Sequence, residues 1–355
     1  MRVLHVDPER GFGGGEVQVL GLVRALAARG VAPTLALDPR GALAAKTSDL
    51  PTVALPIANH VDVRAGLALR RAAAGFDVVH FHTARAHALA PFCARRGARR
   101  VVTRRMDYVP TGGPYARFLY NRAVDVVIAI SDGVRAALVS AGVRPERIRV
   151  VPSGVDLERV TAPADARATV RAAWGAGTDD VVVLALGALE RRKGQAVLLE
   201  AAARLDDPRL RVVLVGAGSE ETSLRGRAAS MRGRAVVFAG FRDDVGACLA
   251  AADVVAMPSL QEGLGVAALE AMAAGRPVVA SRVGGLAEAV VDDVTGRLVP
   301  VGDAAALAAV LGELARDPGR RAQLGAAGRA RVLGRYTMAQ MAKGTLACYG
   351  GPPCA

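Results

Sequence analysis

The stretch Val254-Val255-Ala256-Met257-Pro258-Ser259-Leu260-Gln261-Glu262-Gly263-Leu264-Gly265-Val266-Ala267-Ala268-Leu269-Glu270-Ala271-Met272-Ala273-Ala274-Gly275-Arg276-Pro277-Val278-Val279-Ala280-Ser281 decides the fold. An apolar run, a glycine-rich turn, a helix-forming run closed by Gly275 and a second β-branched run follow one another. That order is strand, turn, helix, strand, a single βαβ unit with parallel strands. Neither run alternates polar with apolar residues, the pattern of strands buried on both faces.

The alternation extends in both directions. Runs 181–186, 211–215, 236–238 and 297–299 read as further strands, with helices predicted at 195–204, 219–230, 266–274 and 304–315. Towards the N-terminus, strands are predicted at 3–6, 34–37, 78–81, 100–103, 126–130 and 149–151, and helices at 16–29, 87–96, 115–124 and 132–141. Ser131 is suited to cap the last of these. Residues 152–174 break the series, with Pro152, Gly154 and Pro163, and read as a linker plus an entry helix. The expectation is an α/β chain of two Rossmann-like, doubly wound parallel-sheet domains, 1–160 and 161–335, facing a central cleft. An amphipathic helix at about 336–349 is expected to pack back on the first.

The opening stretch also carries chemistry. Gly263 and Gly265 flank Leu264 just before a helix, where bare backbone amides and the helix dipole suit a diphosphate. Glu262 precedes the helix and Glu270 lies within it, about 12 Å further along at 1.5 Å per residue. Two carboxylates so spaced suit hydroxyls at opposite ends of a nucleoside-diphosphate sugar; the bland reading is a turn with two solvated acids. Gly11-Phe12-Gly13-Gly14-Gly15-Glu16 joins the first strand to the first helix, a weak signal alone. Glu16 there serves the helix dipole as readily as a ligand. His80, His82 and His87 cluster after a strand. No carboxylate sits at metal-ligand spacing beside them and the chain has no Asp-x-Asp, so no metal and no cofactor are expected. His82 is either a cleft residue or a packing one.

Glu262 and Glu270, set within Pro-Ser…Glu-Gly-x-Gly…Glu-Ala-Met-Ala…Gly-x-Pro-Val-Val-Ala-Ser, resemble the signature of glycosyltransferase family 4, retaining enzymes of the GT-B fold that use nucleotide sugars. Ser131, Arg149-Val150-Val151-Pro152-Ser153-Gly154-Val155-Asp156, Gly216-Ala217-Gly218 and Ala252-Asp253 are also in family order. The resemblance covers nearly the whole chain. It implies a donor in the C-terminal half, an acceptor in the N-terminal half, and Lys193 on the donor diphosphate. The family often has Arg where Ala188 stands, so Arg191 or Arg192 is expected to replace it, with Arg192 favoured. Gly14 and Gly15 would face the donor phosphate, and Gly216 belongs to the donor set. The family commonly places a His where Arg105 stands. Arg105, with Arg104 beside it, would bind donor or acceptor oxygens, and Asp107 would orient the acceptor hydroxyl; a structural ion pair is the competing reading.

Composition narrows the rest. Among 355 residues there are 46 Lys and Arg against 33 Asp and Glu, a formal net charge of +13. Residues 1–160 hold 23 basic and 13 acidic side chains, so the excess lies in the first half. It implies an anionic partner there, either an anionic glycan or lipid-linked acceptor or a peripheral contact with an anionic membrane. Arg95, Arg96, Arg99, Arg100, Arg104 and Arg105 form the densest basic run. Nucleic acid is not expected, because aromatics are only 4% and no nucleic-acid-binding motif appears. No run is long enough to span a bilayer, Asp7 comes too early for a signal peptide, and Cys93, Cys248, Cys348 and Cys354 lack metal or disulfide spacing. A cytoplasmic protein, peripheral at the inner membrane face, is the expectation. The expected activity is retaining glycosyl transfer to a hydroxyl of a cell-envelope glycoconjugate of lipopolysaccharide-like or lipid-linked type, with UDP-sugar as one donor class. Two alternatives stay open: a non-hydrolysing nucleotide-sugar epimerase on the same fold, and a basic nucleic-acid-binding scaffold.

Overall fold

The computed structural model describes residues 1–59, 62–93, 97–107, 113–231 and 235–350. The chain divides into two compact units, one of Met1–Gly154 with Met338–Ala355, the other Val155–Thr337. The division thus falls at Gly154, ahead of the expected residue 160, because Val155 bridges to Thr337 and donates its N–H to Tyr336 O (2.7 Å) inside the second unit.

The first unit holds β1 (Arg2–Asp7), β2 (Ala32–Leu37), β3 (Thr52–Ala54), β4 (Val78–Phe81), β5 (Arg99–Arg104), β6 (Val126–Ala129) and β7 (Ile148–Val150). Their order is β3-β2-β1-β4-β5-β6-β7, and every pair is parallel. Because the chain winds outward from β1 in one direction and from β4 in the other, the β1/β4 seam is the switch point, where crevices open at the carboxyl ends of strands. Val3, Val78, Val101 and Ile128 pack with Leu22 and Leu26 of helix Gly14–Ala27 and with Met341, Ala342 and Tyr349 of helix Met338–Gly350.

The second unit holds β8 (Val181–Leu186), β9 (Leu210–Val215), β10 (Ala235–Gly240), β11 (Val254–Met257), β12 (Val278–Ser281) and β13 (Arg297–Val299), in the order β10-β9-β8-β11-β12-β13 and again parallel throughout. Its switch point is the β8/β11 seam. The expected entry helix is Ala166–Ala173. Its Arg171 is buried and fixed by Asp253 Oδ2 at 2.9 Å, Gly177 O at 2.6 Å and Asp180 O at 2.7 Å.

Several expectations change. β3, at an edge and half-exposed, and helix Val63–Ala72, whose N-cap Asp62 accepts from Ala65 N at 2.9 Å, were not predicted. Helix Pro318–Arg335 was also missed: Gly325, Gly328 and Gly334 look like breakers, yet a Cβ on Gly325 would lie 2.1 Å from Gly275 O. That glycine lets two backbones approach rather than ending the helix. The helix expected at 87–96 is instead Ala84–Ala88 with a 3-10 turn Ala90–Cys93, and residues 94–96 lie outside the described residues. The one expected at 115–124 is Gly113–Phe118 followed by a π-turn, Leu119–Ala123.

The basic run does not make one solvated face. Arg100 holds Asp125 through two bonds (2.8 and 3.1 Å), Arg104 is buried, Arg105 is half-buried, and Arg95 and Arg96 fall outside the described residues. Elsewhere in the unit, Arg10 and Arg40 share Asp38, and Arg24 pairs with Asp49. Among the described residues no helix is long and apolar enough to cross a membrane.

Ser131 caps helix Asp132–Ser140, its Oγ accepting from Val134 N at 3.1 Å. Ser131→Ala is expected to destabilise the first unit by about 1 kcal/mol, read as a lower urea midpoint at unchanged slope.

Candidate functional site

In the second unit the sequence-predicted residues gather at the carboxyl edge of the β8/β11 seam. The chain leaves β8 through Gly187 at φ +139° and reaches the turn Arg191–Lys193, closed by Gly194 at φ +68°. A Cβ on Gly194 would lie 1.9 Å from Pro258 O, so only glycine lets this turn meet the loop after β11. Arg192 O accepts from Leu260 N at 2.8 Å, tying the loops together. The two loops bring Lys193 Nζ to 2.5 Å from Glu262 Oε2, a pair separated by 69 residues in sequence. Both side chains are largely buried, at 15% and 10% exposure, and Ser259 Oγ lies 3.4 Å from the same carboxylate oxygen. Burying two charges is tolerable only when they are paired and hydrogen-bonded.

Arg192 stands apart from that pair, bound to Glu190 on its own turn at 2.7 Å. Gly216 lies where two backbones cross. Its N–H already donates to Gly240 O at 2.8 Å, and a Cβ there would lie 1.9 Å from Gly187 O. Its lack of a side chain serves this close backbone crossing. The turn Gly263, Leu264, Gly265 is likewise buried rather than bare. Gly285 donates to Glu262 O at 3.2 Å and approaches Gly263 O and the Leu264 Cα so closely that a Cβ on it would sit 2.4 Å from each. Gly265, at φ +82°, still starts helix Val266–Ala273. Within that helix Glu270 is buried and accepts from Arg159 Nε at 3.2 Å. Burial pushes its carboxyl above the ordinary value, and Arg159 opposes the shift. Arg159 was not foreseen as a site residue; a lone Arg in a linker gives no sequence signal, and only the 111-residue contact reveals it.

In the first unit the matching edge is the β1/β4 seam. Gly14 and Gly15 open helix Gly14–Ala27, with empty space where their side chains would be. Glu16 turns back on Gly13 N at 2.7 Å, so it caps the helix. His5, His80 and His82 are buried and hydrogen-bonded: His5 Nδ1 meets His82 Nε2 at 3.0 Å, while His80 uses one nitrogen on Tyr349 Oη and the other on Thr103 Oγ1, both at 2.7 Å. The His5 and His82 rings stack at 5.2 Å. Burial drives all three well below the ordinary imidazole range, His5 to about 3, so the stack is neutral and reads as packing. Arg105 donates Nη1 to His82 O at 3.1 Å, and its Nε and Nη2 have no partner among the described residues. Asp107 Oδ1 is likewise buried without one among those residues. No ion pair holds Arg105 to Asp107 among the described residues.

Sequence reasoning also missed Asp7, the last residue of β1. It is 1% exposed; its Oδ1 accepts from Glu9 N at 3.3 Å and its Oδ2 has no partner among the described residues. Burial, then the nearby Glu16 charge, pushes its carboxyl up to about 7, with Arg105 pulling the other way. A carboxyl raised in the folded state is stabilising in its protonated form, so its contribution is complete below about pH 4 and lost as pH rises through about 7. Asp7→Asn is expected to flatten the fall in first-unit stability between those limits, measured by urea unfolding at both ends.

Residues 166–331 match the family described as glycosyl transferases group 1, and residues 12–159 match glycosyltransferase family 4. A GDP-mannose-dependent alpha-(1-6)-phosphatidylinositol monomannoside mannosyltransferase of Mycolicibacterium smegmatis is 38% identical over 260 residues, 68% of this chain and 67% of that one. A D-inositol 3-phosphate glycosyltransferase of Xylanimonas cellulosilytica is 43% identical over 195 residues, 52% of this chain and 47% of its own length. The chain thus spans about half to two thirds of the length of these curated relatives. Anabaena HepE, crystallised with UDP and glucose, superposes with a TM-score of 0.88 over 99% of this chain and 100% of that one at 24% identity, which shows the GT-B fold. The two matched segments and the mycobacterial relative agree with the Glu262–Glu270 signature, and the chain belongs to glycosyltransferase family 4.

Proposed function

We propose that the chain transfers a sugar from a nucleoside diphosphate to a hydroxyl acceptor with retention of anomeric configuration. The observation that carries this reading is the buried Lys193–Glu262 pair at the carboxyl edge of the β8/β11 seam. A cation held there neutralises charge as it builds on the departing diphosphate. Glu262, released from Lys193 by the donor, would accept sugar hydroxyls, and Glu270, held by Arg159, the ribose hydroxyls. The sugar C1–phosphate oxygen bond breaks, the C1–acceptor oxygen bond forms on the same face, and the leaving phosphate oxygen takes the acceptor proton. No enzyme carboxylate acts as nucleophile, so rate comes from positioning and electrostatics.

On the acceptor side, the two relatives' names speak of inositol 3-phosphate and of a phosphatidylinositol mannoside. With the net charge concentrated in residues 1–160, these support a phosphorylated polyol, free or lipid-linked, as the acceptor class, and the inner face of an anionic membrane as the place of action. The test is donor binding by thermal shift with UDP and GDP sugars, followed by NMR of the product anomer with inositol phosphate as acceptor. An inverted product rejects retention. Conversion of donor alone to an isomeric nucleotide sugar would identify an epimerase instead.

A further inference from the structure

Arginines in this molecule repeatedly use one edge of the guanidinium, the parallel Nε–H and Nη2–H groups, to hold an oxyanion. Arg40 grips Asp38 this way at 3.0 and 2.9 Å, Arg100 grips Asp125 at 3.1 and 2.8 Å, and Arg209 grips Asp207 at 3.0 and 2.8 Å. In Arg105 the same edge is shielded from solvent and has no partner among the described residues, while its other amino group is fixed to His82 O. Leaving two charged donors of a buried guanidinium unmet is costly, because they have given up water without gaining an acceptor. The nearby Asp7 carboxyl does not close the gap: it influences Arg105 electrostatically, but forms no ion pair with it among the described residues, and its own Oδ2 is unpartnered. An empty fork and a buried, unpartnered carboxyl thus share the carboxyl edge of the first sheet. Beside them the space over Gly14 and Gly15 is open.

We propose that Arg105 and Asp7 form an oxyanion subsite in the first unit that takes the phosphate of a phosphorylated polyol acceptor. This rests on the glycosyl-transfer reading above and deepens its acceptor side. The guanidinium fork matches phosphate bidentately, which a lysine ammonium cannot do. Asp7 sets the charge of the subsite. Protonated, it removes one of the two acidic charges, its own and that of Glu16, that act on Arg105; ionised, it competes with the phosphate. The charged and titratable groups facing Asp7 are Glu9 on the following turn, Glu16 on helix Gly14–Ala27 and Arg105 after β5, while His5 and His82 are neutral. Its carboxyl titrates at about 7, so phosphate affinity falls as pH rises through that value. The second ionisation of a phosphomonoester, near pH 6, favours binding in the opposite direction and cannot mimic the fall.

The experiment is calorimetric titration of the full chain with inorganic phosphate, D-inositol 3-phosphate, unphosphorylated inositol and UDP or GDP, at about pH 6 and about pH 8. Wild type is expected to bind inositol phosphate and, more weakly, phosphate, but not inositol. Arg105→Lys keeps the charge and removes the fork; it is expected to weaken inositol phosphate binding about tenfold or more with nucleoside diphosphate binding unchanged. Asp7→Asn is expected to keep at about pH 8 the affinity that wild type shows only at about pH 6. Equal binding of inositol and its phosphate overturns the proposal, as does wild-type affinity in Arg105→Lys. Loss of nucleoside diphosphate binding in that variant assigns the fork to the donor and also overturns it. Failure of wild type to bind any nucleoside diphosphate rejects the glycosyl-transfer reading, while the phosphate arms still decide the subsite. Should Arg105→Lys not fold, the phosphate-against-inositol comparison and the Asp7→Asn pH profile carry the decision.

Discussion

Lys193→Ala is expected to lower the turnover of donor by about a hundredfold to a thousandfold, the effect of removing one preorganised group that stabilises a developing anion. In the proposed role the loss should fall mainly on kcat, because the charge Lys193 would meet grows as the sugar–phosphate bond breaks. The same substitution strands Glu262, which is 8% exposed and has lost its cation. A buried carboxylate left alone costs about 3–5 kcal/mol, so the single variant should also be less stable. The two consequences separate in a double variant. Lys193→Ala with Glu262→Gln removes the orphaned charge and should recover most of the lost stability, yet stay inactive. If the double variant regains turnover with its stability, the loss was structural and Lys193 has no part in the chemistry. If Lys193→Ala alone keeps wild-type turnover, the donor site lies elsewhere.

That pair shows what a sequence carries and what it does not. Lys193 and Glu262 could each be marked by their surroundings, one on a basic turn after β8, the other ahead of a helix. Both sheets were legible for a similar reason: strands such as Val181–Leu186 and Val126–Ala129 are buried on both faces and read as unbroken apolar runs. The contacts that give the residues their meaning are long-range. Nothing in the run Glu262-Gly263-Leu264-Gly265 announces that Gly285 lies across it, so the amides read as bare when they are buried. Asp7 is a lone acid at the end of a strand, and only the packing of Glu16 and Arg105 near it raises its carboxyl. The glycines of Pro318–Arg335 weaken the local helix signal because propensity is local, whereas the close approach of Gly325 to Gly275 is tertiary. Net charge is likewise a sum that does not say which side chains are already paired. The arginine excess is real, but Arg100, Arg10 and Arg40 spend theirs on Asp125 and Asp38. What distinguishes Arg105 is not its charge but its unmet edge.

Gly216→Ala is expected to cost the second unit about 3 kcal/mol or more, a large effect for adding one methyl group. Two independent penalties act there. Gly216 sits at φ +142°, a conformation nearly closed to residues with a Cβ, and the new atom would overlap Gly187 O at 1.9 Å. That oxygen belongs to backbone, and Gly187 is itself at φ +139° with its N–H bound to Val215 O at 2.9 Å, so it has little freedom to retreat. The strain must then pass into the loop after β8, which carries Lys193. Hydrogen exchange should therefore show faster opening of β8 and β9 amides together with weaker nucleoside diphosphate binding, while the first unit stays protected. A variant that keeps its stability but loses donor affinity would mean that Gly216 touches the donor directly, as the family resemblance implied. Loss of stability in step with affinity would instead mean that its glycine serves the backbone crossing, and that donor binding depends on it only through the loop holding Lys193 against Glu262.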